Sequence, residues 1–309
     1  MAFMTRRFGR WAALSLLTVA TLSGPARATA PGSARWLVRV DFAPLVALPP
    51  GADTAAARAR LLKAVDGAAH GAEALGGQVL GRFHRVFPGL AVALPAGVDP
   101  AALRALPGVA AVSRATRLTP AAIGDTALIG VDDAVAAWGY TGDGVDVAVI
   151  DTGLDYLHPA LGGADDPAAY AGNDPTRIDD AAAPFPTEGV AGGWDFSGAD
   201  GASPDPDPFP DGDLSDPGAL AHHGTAVTGA LLAVAPEARL FALKVFAAGA
   251  ATTTSDRVIA ALEWASDPNG DEQLDDALDV VLLALGGEPD ADDAWAPTPL
   301  REAIAGLVS

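Results

Sequence analysis

The order of hydrophobic and polar positions changes character once along the chain. In the first stretch, apolar and polar residues alternate over Trp36–Phe42, which predicts a half-buried strand, and an alanine-rich segment of helical period runs from Thr54 to Leu75. Gln78–Phe83 and Leu90–Leu94 read as two short strands flanking a turn, His84-Arg85-Val86-Phe87-Pro88-Gly89. Asp99 as cap and Pro100 at the first helical position predict a second helix to Leu106, and Val109–Val112 predicts a last strand. Strand, helix, strand, strand, helix, strand is the order of a ferredoxin-like α+β sandwich. A fold of this kind implies no function by itself. His70 and His84 are isolated and read as surface or packing residues.

Past Thr119 the pattern becomes strands alternating with helices and Asp/Gly/Pro loops, the signature of an α/β domain built on a parallel sheet. Val145–Ile150 is a valine-rich strand ending at Asp151, so a carboxylate stands at the strand's carboxyl end, where open α/β sheets place their sites. Gly153 permits a sharp departure of the chain there. His223 opens a run of small residues, Ala226 to Ala233, that predicts a helix lying close against the sheet. A histidine fixed at a helix start can be aimed at a neighbouring acid, which holds the tautomer needed for general-base work. The span Gly162 to Gly218 is rich in Asp, Pro and Gly and predicts loops over the cleft. Within it Ser203-Pro204-Asp205-Pro206-Asp207-Pro208 reads as a stiff acidic surface insert. Leu300–Val308 predicts a helix.

The length of 309 residues, half of them hydrophobic, allows one or two cored domains behind a leader. Residues 1–30 form that leader: Arg6, Arg7 and Arg10 precede the apolar run Trp11 to Leu22, and Ala28-Thr29-Ala30 supplies small residues for cleavage. An apolar run of about 12 residues is short of the ~18 that a membrane anchor requires. The residues after Arg6-Arg7 fit a twin-arginine signal poorly. A secreted, periplasmic or cell-envelope protein is therefore expected, with no membrane attachment in the mature form. The absence of cysteine leaves stability to core burial or bound metal.

Charge sharpens this division. Residues 1–118 hold 14 Lys+Arg and 5 Asp+Glu, while 119–309 hold 5 and 34. Such acidity argues against nucleic acid or anionic membrane as partners. The basic first part and the acidic second part are complementary, as a docked pair would be.

On these residues the chain resembles the subtilisin-like serine proteases. VAVIDTGLDYLHPAL is similar to that family's segment around the catalytic Asp, which assigns the role to Asp151, and HGTAVTG to its HGTHVAG segment, which assigns the general base to His223 rather than His222. DVVLLALGG, from Asp279, is similar to the strand beside the bound peptide, implying substrate contacts at Leu283, Ala284, Leu285 and Gly286. Residues 31–118 resemble the inhibitory propeptide, a partner bound intramolecularly and released by proteolysis near Arg117 to Ile123, and 119–309 resemble the N-terminal part of the peptidase domain. The resemblance implies secreted endopeptidase activity on polypeptide substrates through an Asp-His-Ser triad.

Four positions depart from the family. Ala226 replaces a histidine outside the triad, Leu282 and Ala284 stand where Asn and Ser are common, and Ala160 stands where many relatives have a calcium-binding Asp. The nucleophile segment GTSMA and the oxyanion-hole Asn find no match; Ser197, Ser255 and Ser309 lack that context. Without a hydroxyl no acyl-enzyme forms, so the chain is expected to be a partial protease, inactive alone. Alternative readings are an inhibitor or pseudoenzyme that occupies a protease cleft, and an acidic calcium-binding secreted protein. For the latter, Asp267, Asn269 and Asp271 set oxygen ligands around Gly270, as a structural calcium loop does, although without EF-hand spacing. The chemistry itself requires no cofactor.

Overall fold

The computed structural model describes residues 34–49, 52–120, 131–198, 204–212, 214–216, 219–287 and 298–307. The leader expected over 1–30, positions 121–123 of the expected cleavage window, Ser203 and Ser309 lie outside them.

The first unit runs β1 (Ala34–Val40), α1 (Thr54–Ala74), β2 (Gln78–Phe83), β3 (Gly89–Leu94), α2 (Ala101–Arg104) and β4 (Val109–Arg114). Its antiparallel sheet has the order β2-β3-β1-β4, the arrangement of a ferredoxin-like sandwich. Asp53 caps α1 by accepting the Ala56 N–H at 2.9 Å. Along β3 all six residues are buried, and the pleat divides them. Leu90, Val92 and Leu94 join Leu61, Val65 and Ala69 of α1, whereas Ala91 packs in a second cluster with Val258, Ile259 and Leu262. Both faces of this sheet are thus covered, which is why β3 is continuously apolar. The second helix is shorter than predicted and ends at Arg104, ahead of a turn at Gly108 with φ 77°.

The chain continues through β5 (Arg117–Pro120), α3 (Val131–Trp138), β6 (Asp146–Asp151), α4 (Pro167–Gly172), β7 (Val190–Asp195), α5 (His223–Val234), β8 (Arg239–Lys244), β9 (Thr253–Thr254), α6 (Ser255–Ala265), β10 (Val280–Leu282), β11 (Leu285–Gly286) and α7 (Pro299–Leu307). A parallel sheet of order β10-β6-β8-β7 carries the second unit, its centre formed by Val147 to Ile150 and Leu240, Ala242 and Leu243. No helix among the described residues is long and apolar enough to cross a membrane.

Two expectations are corrected. The span 162–218 is not loops alone, since it contributes α4 and the sheet strand β7. Strand β7 escaped the pattern because Gly192 and Gly193 interrupt it; a Cβ at Gly193 would stand 2.1 Å from the Ala242 carbonyl oxygen, so close strand packing requires the glycine. Nor is the acidic run a surface insert. Asp207 is fully buried and accepts the Tyr156 hydroxyl at 3.0 Å, and Phe209 packs edge-on against the Tyr156 ring. Burial, opposed by the bonds from Phe209 N–H and Tyr156, pushes the Asp207 carboxyl up to about 7.

Contacts between the units carry the charge division seen in the sequence. Arg35 pairs with Asp256 at 2.8 Å, Arg39 with Glu302 at 3.3 Å, and Arg58 and Arg85 with Glu272 and Asp267; each arginine belongs to the first unit and each acid to the second. The turn at 84–87 meets α6 more intimately: Glu263 accepts the backbone N–H groups of His84, Arg85, Val86 and Phe87 at 3.2, 2.8, 2.7 and 3.1 Å.

His84 gives this contact a pH dependence. Its Nε2 is buried without a hydrogen-bond partner among the described residues, and burial, then Arg85 and Arg58, lower its pKa from 6.5 to about 4. The unfolded chain therefore binds the extra proton between those values, and the stability present above pH 6.5 declines as pH falls toward 4. The expected loss is about 3 kcal/mol. Denaturant unfolding at pH 7 and pH 4.5 should show this loss in the wild type and not in His84→Gln; parallel losses in both would exclude His84 as its source.

Candidate active site

Asp151 is the last residue of β6 and 1 % exposed. Its backbone is held in the sheet by the Val245 N–H, which donates to its carbonyl at 2.9 Å. His223 opens α5, and its Nδ1 lies 2.8 Å from Asp151 Oδ1. That oxygen also accepts the Thr152 N–H at 2.7 Å. His222, one residue earlier, turns to the Leu214 carbonyl instead, with Nε2 at 3.1 Å. The structure thus brings together Asp151 and His223 and turns His222 away. An imidazole whose Nδ1–H is held by a buried carboxylate keeps Nε2 as a proton acceptor.

The approach of α5 to β6 depends on Gly224. A Cβ there would stand 2.3 Å from the Gly153 carbonyl oxygen and 3.2 Å from Asp151 Cβ. Gly153 itself has φ 103°, and its own Cβ would meet Pro208 O at 2.6 Å. Beside the pair, Thr152, Asp211, Ala219 to Ala221, Phe246 and Ala247 line a pocket.

Two of the four predicted substrate-contact residues lie in a second sheet. Leu285 and Gly286 form β11, preceded by half-buried Leu283 and Ala284, and β11 pairs antiparallel with β5 through Leu285↔Pro120 and Gly286↔Thr119. On its other side β5 pairs with β9 through Arg117↔Thr254 and Leu118↔Thr253. An extended segment of the chain's own backbone is therefore held between two strands of the second unit, with Leu118 buried in the core shared by the two units.

In the loop expected to hold calcium, the side chains make contacts within the protein. Asp267 faces the Arg85 guanidinium and accepts the Glu272 N–H at 2.9 Å. Asn269 and Asp271 turn their side-chain oxygens to the N–H groups of Asp271 and Gln273. Among the described residues no group of three or more His, Asp or Glu side chains is arranged to hold a metal. His158 caps the short turn Pro159–Leu161, accepting the Ala160 N–H on Nδ1 at 3.1 Å.

Sequence reasoning passed over Lys244 and Glu263, although each interrupts an apolar stretch and so signals a buried partner. Lys244 is 1 % exposed, and its Nζ lies 2.8 Å from Asp195 Oδ2, 2.8 Å from Ser197 Oγ and 2.5 Å from Asp211 Oδ2. Ser197 is therefore committed to an ion-pair cluster. Ser255 and Ser266 are engaged too, with Thr116 N–H and the Glu263 carbonyl.

The profile of the subtilase family, Peptidase_S8, matches residues 142–306. The chain is 35 % identical over 176 residues to the minor extracellular protease Vpr of Bacillus subtilis (strain 168), a match covering 54 % of this chain and 17 % of that protein. It thus spans about a sixth of the length of that relative. A solved structure, fervidolysin from Fervidobacterium pennivorans, a keratinolytic enzyme related to subtilisin, matches over 89 % of this chain and 38 % of its own, at 17 % identity and TM-score 0.48. With the family profile covering more than half of its residues, including Asp151 and His223, the chain belongs to the subtilase family.

Proposed function

We propose that the protein is the precursor of a secreted serine endopeptidase, in which Asp151 orients His223 and His223 takes the proton of a serine hydroxyl as it attacks a peptide carbonyl. The observation that carries this reading is the 2.8 Å contact from His223 Nδ1 to the buried Asp151 carboxylate at the carboxyl end of a parallel strand. The charge of Asp151 stabilises the imidazolium formed by that transfer, and the reverse transfer protonates the leaving amine. Polypeptide is the substrate class. The antiparallel pairing of residues 117–120 with β11 and β9 supports it, because main-chain pairing of this kind accepts an extended peptide of varied sequence.

In this reading residues 31–118 are an inhibitory propeptide whose tail lies along the strands that later hold substrate, and cleavage between Arg117 and Ile123 releases it. The nucleophile belongs to a GTSMA-type segment that this sequence does not contain. The purified 309-residue chain should accordingly leave casein intact. Hydrolysis is expected from a longer protein in which a GTSMA-bearing subtilase segment is joined in frame, and is expected to vanish in the His223→Ala variant of that longer protein. Activity that survives His223→Ala would overturn the assignment of the base.

The occupied strand pairing also favours a second reading, a binding module that uses its first unit to block a protease cleft. Inhibition of an active subtilisin by the whole chain, together with a stop codon after codon 309, would select it.

A further inference from the structure

We infer that Thr152 is a positioning residue for the Asp151–His223 pair, its hydroxyl joining the helix start that carries His223 to the strand end that carries Asp151. This rests on the reading of those two residues as orienting acid and general base.

The opening turn of α5 has N–H groups without acceptors inside the helix, as every helix does. An N-cap side chain usually supplies one, but His222, the residue at that position, makes no side-chain cap bond. The missing acceptor comes from another element. Thr152 Oγ1 accepts the Gly224 N–H at 2.9 Å and donates to the Ala221 carbonyl at 3.3 Å, so one hydroxyl holds the backbone on both sides of the His222-His223 pair. Thr152 is 5 % exposed.

The same residue acts on the carboxylate. Its N–H donates to Asp151 Oδ1, the oxygen that His223 Nδ1 meets. Side chain and backbone of Thr152 therefore fix both ends of one hydrogen bond, the hydroxyl placing the imidazole's backbone and the amide placing the carboxylate oxygen. A second tie runs the opposite way, from the Asp155 N–H to Thr225 Oγ1 at 2.9 Å. That tie holds the helix near the strand, but it grips beyond Gly224 and leaves the Ala221 carbonyl unbound. Valine at 152 would keep the shape and remove the hydroxyl, leaving the Gly224 N–H without its acceptor.

The test is histidine NMR on the full chain labelled with 15N-histidine, with the His223 signals assigned by their loss in His223→Asn. The wild type is expected to show a hydrogen-bonded Nδ1 proton on His223. In Thr152→Val that proton should disappear or exchange with solvent roughly tenfold faster or more, as loss of one buried hydrogen bond allows. In Thr152→Ser, which restores the hydroxyl, it should return. A fold defect alone would move the melting temperature without moving this proton selectively. Retention of the proton at wild-type exchange in Thr152→Val would overturn the role of Thr152 and leave the Asp151–His223 assignment standing. If the valine variant does not fold, the serine variant decides, and loss of the proton there overturns the inference. Absence of the proton in the wild type would overturn the pair itself, and the inference with it.

Discussion

Replacing Glu263 with alanine is expected to release the first unit from the second. The carboxylate lies within the core between the units and accepts four consecutive backbone N–H groups of the 84–87 turn, two on each oxygen. Such successive N–H groups form a concave anion site. Burial raises the Glu263 pKa, against the opposing pull of the four donors. Alanine would strand the donors, each at a cost of about 1–3 kcal/mol when it stays buried. Even after partial relaxation the expected loss is on the order of 4 kcal/mol, comparable to the whole stability of a small domain. Glutamine should fall between, because its oxygen can serve only part of the turn and its NH2 group faces further donors. Amide hydrogen exchange is the measurement: protection at His84 to Phe87 should collapse in Glu263→Ala and survive in part in Glu263→Gln. Protection near wild type in the alanine variant would mean that the apolar contacts of Val86 and Phe87, not the carboxylate, hold the units together.

Gly224→Ala should be the most damaging small change near the site. Helix propensity by itself favours alanine by about 1 kcal/mol. Contact geometry outweighs it, since the added carbon would stand 2.3 Å from the Gly153 carbonyl oxygen, a backbone atom that cannot rotate away, and 3.2 Å from Asp151 Oδ1. Relief requires α5 to move off β6 by roughly 1 Å, and a hydrogen bond lengthened by that much from 2.8 Å is no longer one. A destabilisation of about 2–3 kcal/mol is expected, with loss of the hydrogen-bonded Nδ1 proton of His223. Gly229, in the same helix, is the control: nothing lies within 4 Å of its added carbon, so Gly229→Ala should stabilise by about 0.5–1 kcal/mol. Thermal unfolding of the two variants side by side checks the sign of each. Equal stabilisation by both would show that the close approach of α5 to β6 does not constrain the site.

Much of the fold was legible because its signals are local. The alternation through Trp36–Phe42, the apolar run 145–150 and the small-residue helix after His223 each depend on neighbours a few residues away, and each element appears there, the first strand shifted two residues earlier, to Ala34–Val40. The expected pair, Asp151 and His223, was legible for the same reason: a carboxylate at a strand end and a histidine at a helix start are positions that backbone geometry defines. Strand β7 was not legible, because glycines required by close packing replaced the apolar alternation. The acidic run misled for a related reason: a carboxylate reads as exposed until a buried donor such as the Tyr156 hydroxyl is known to face it.

By itself, then, the sequence marked the elements of the first unit, the strand and helix that carry Asp151 and His223, the family motifs and the charge division between the two units. Tertiary structure alone decided that Glu263 closes on a turn 176 to 179 residues earlier, that Lys244 gathers Asp195, Ser197 and Asp211, and that residues 117–120 form a strand inside the second unit. It alone also set the 2.8 Å separation across the 72 residues between Asp151 and His223. The physical reason is range. Periodicity and capping act within a few residues, whereas a buried charge must find its partner wherever packing brings one, since it cannot remain buried without it.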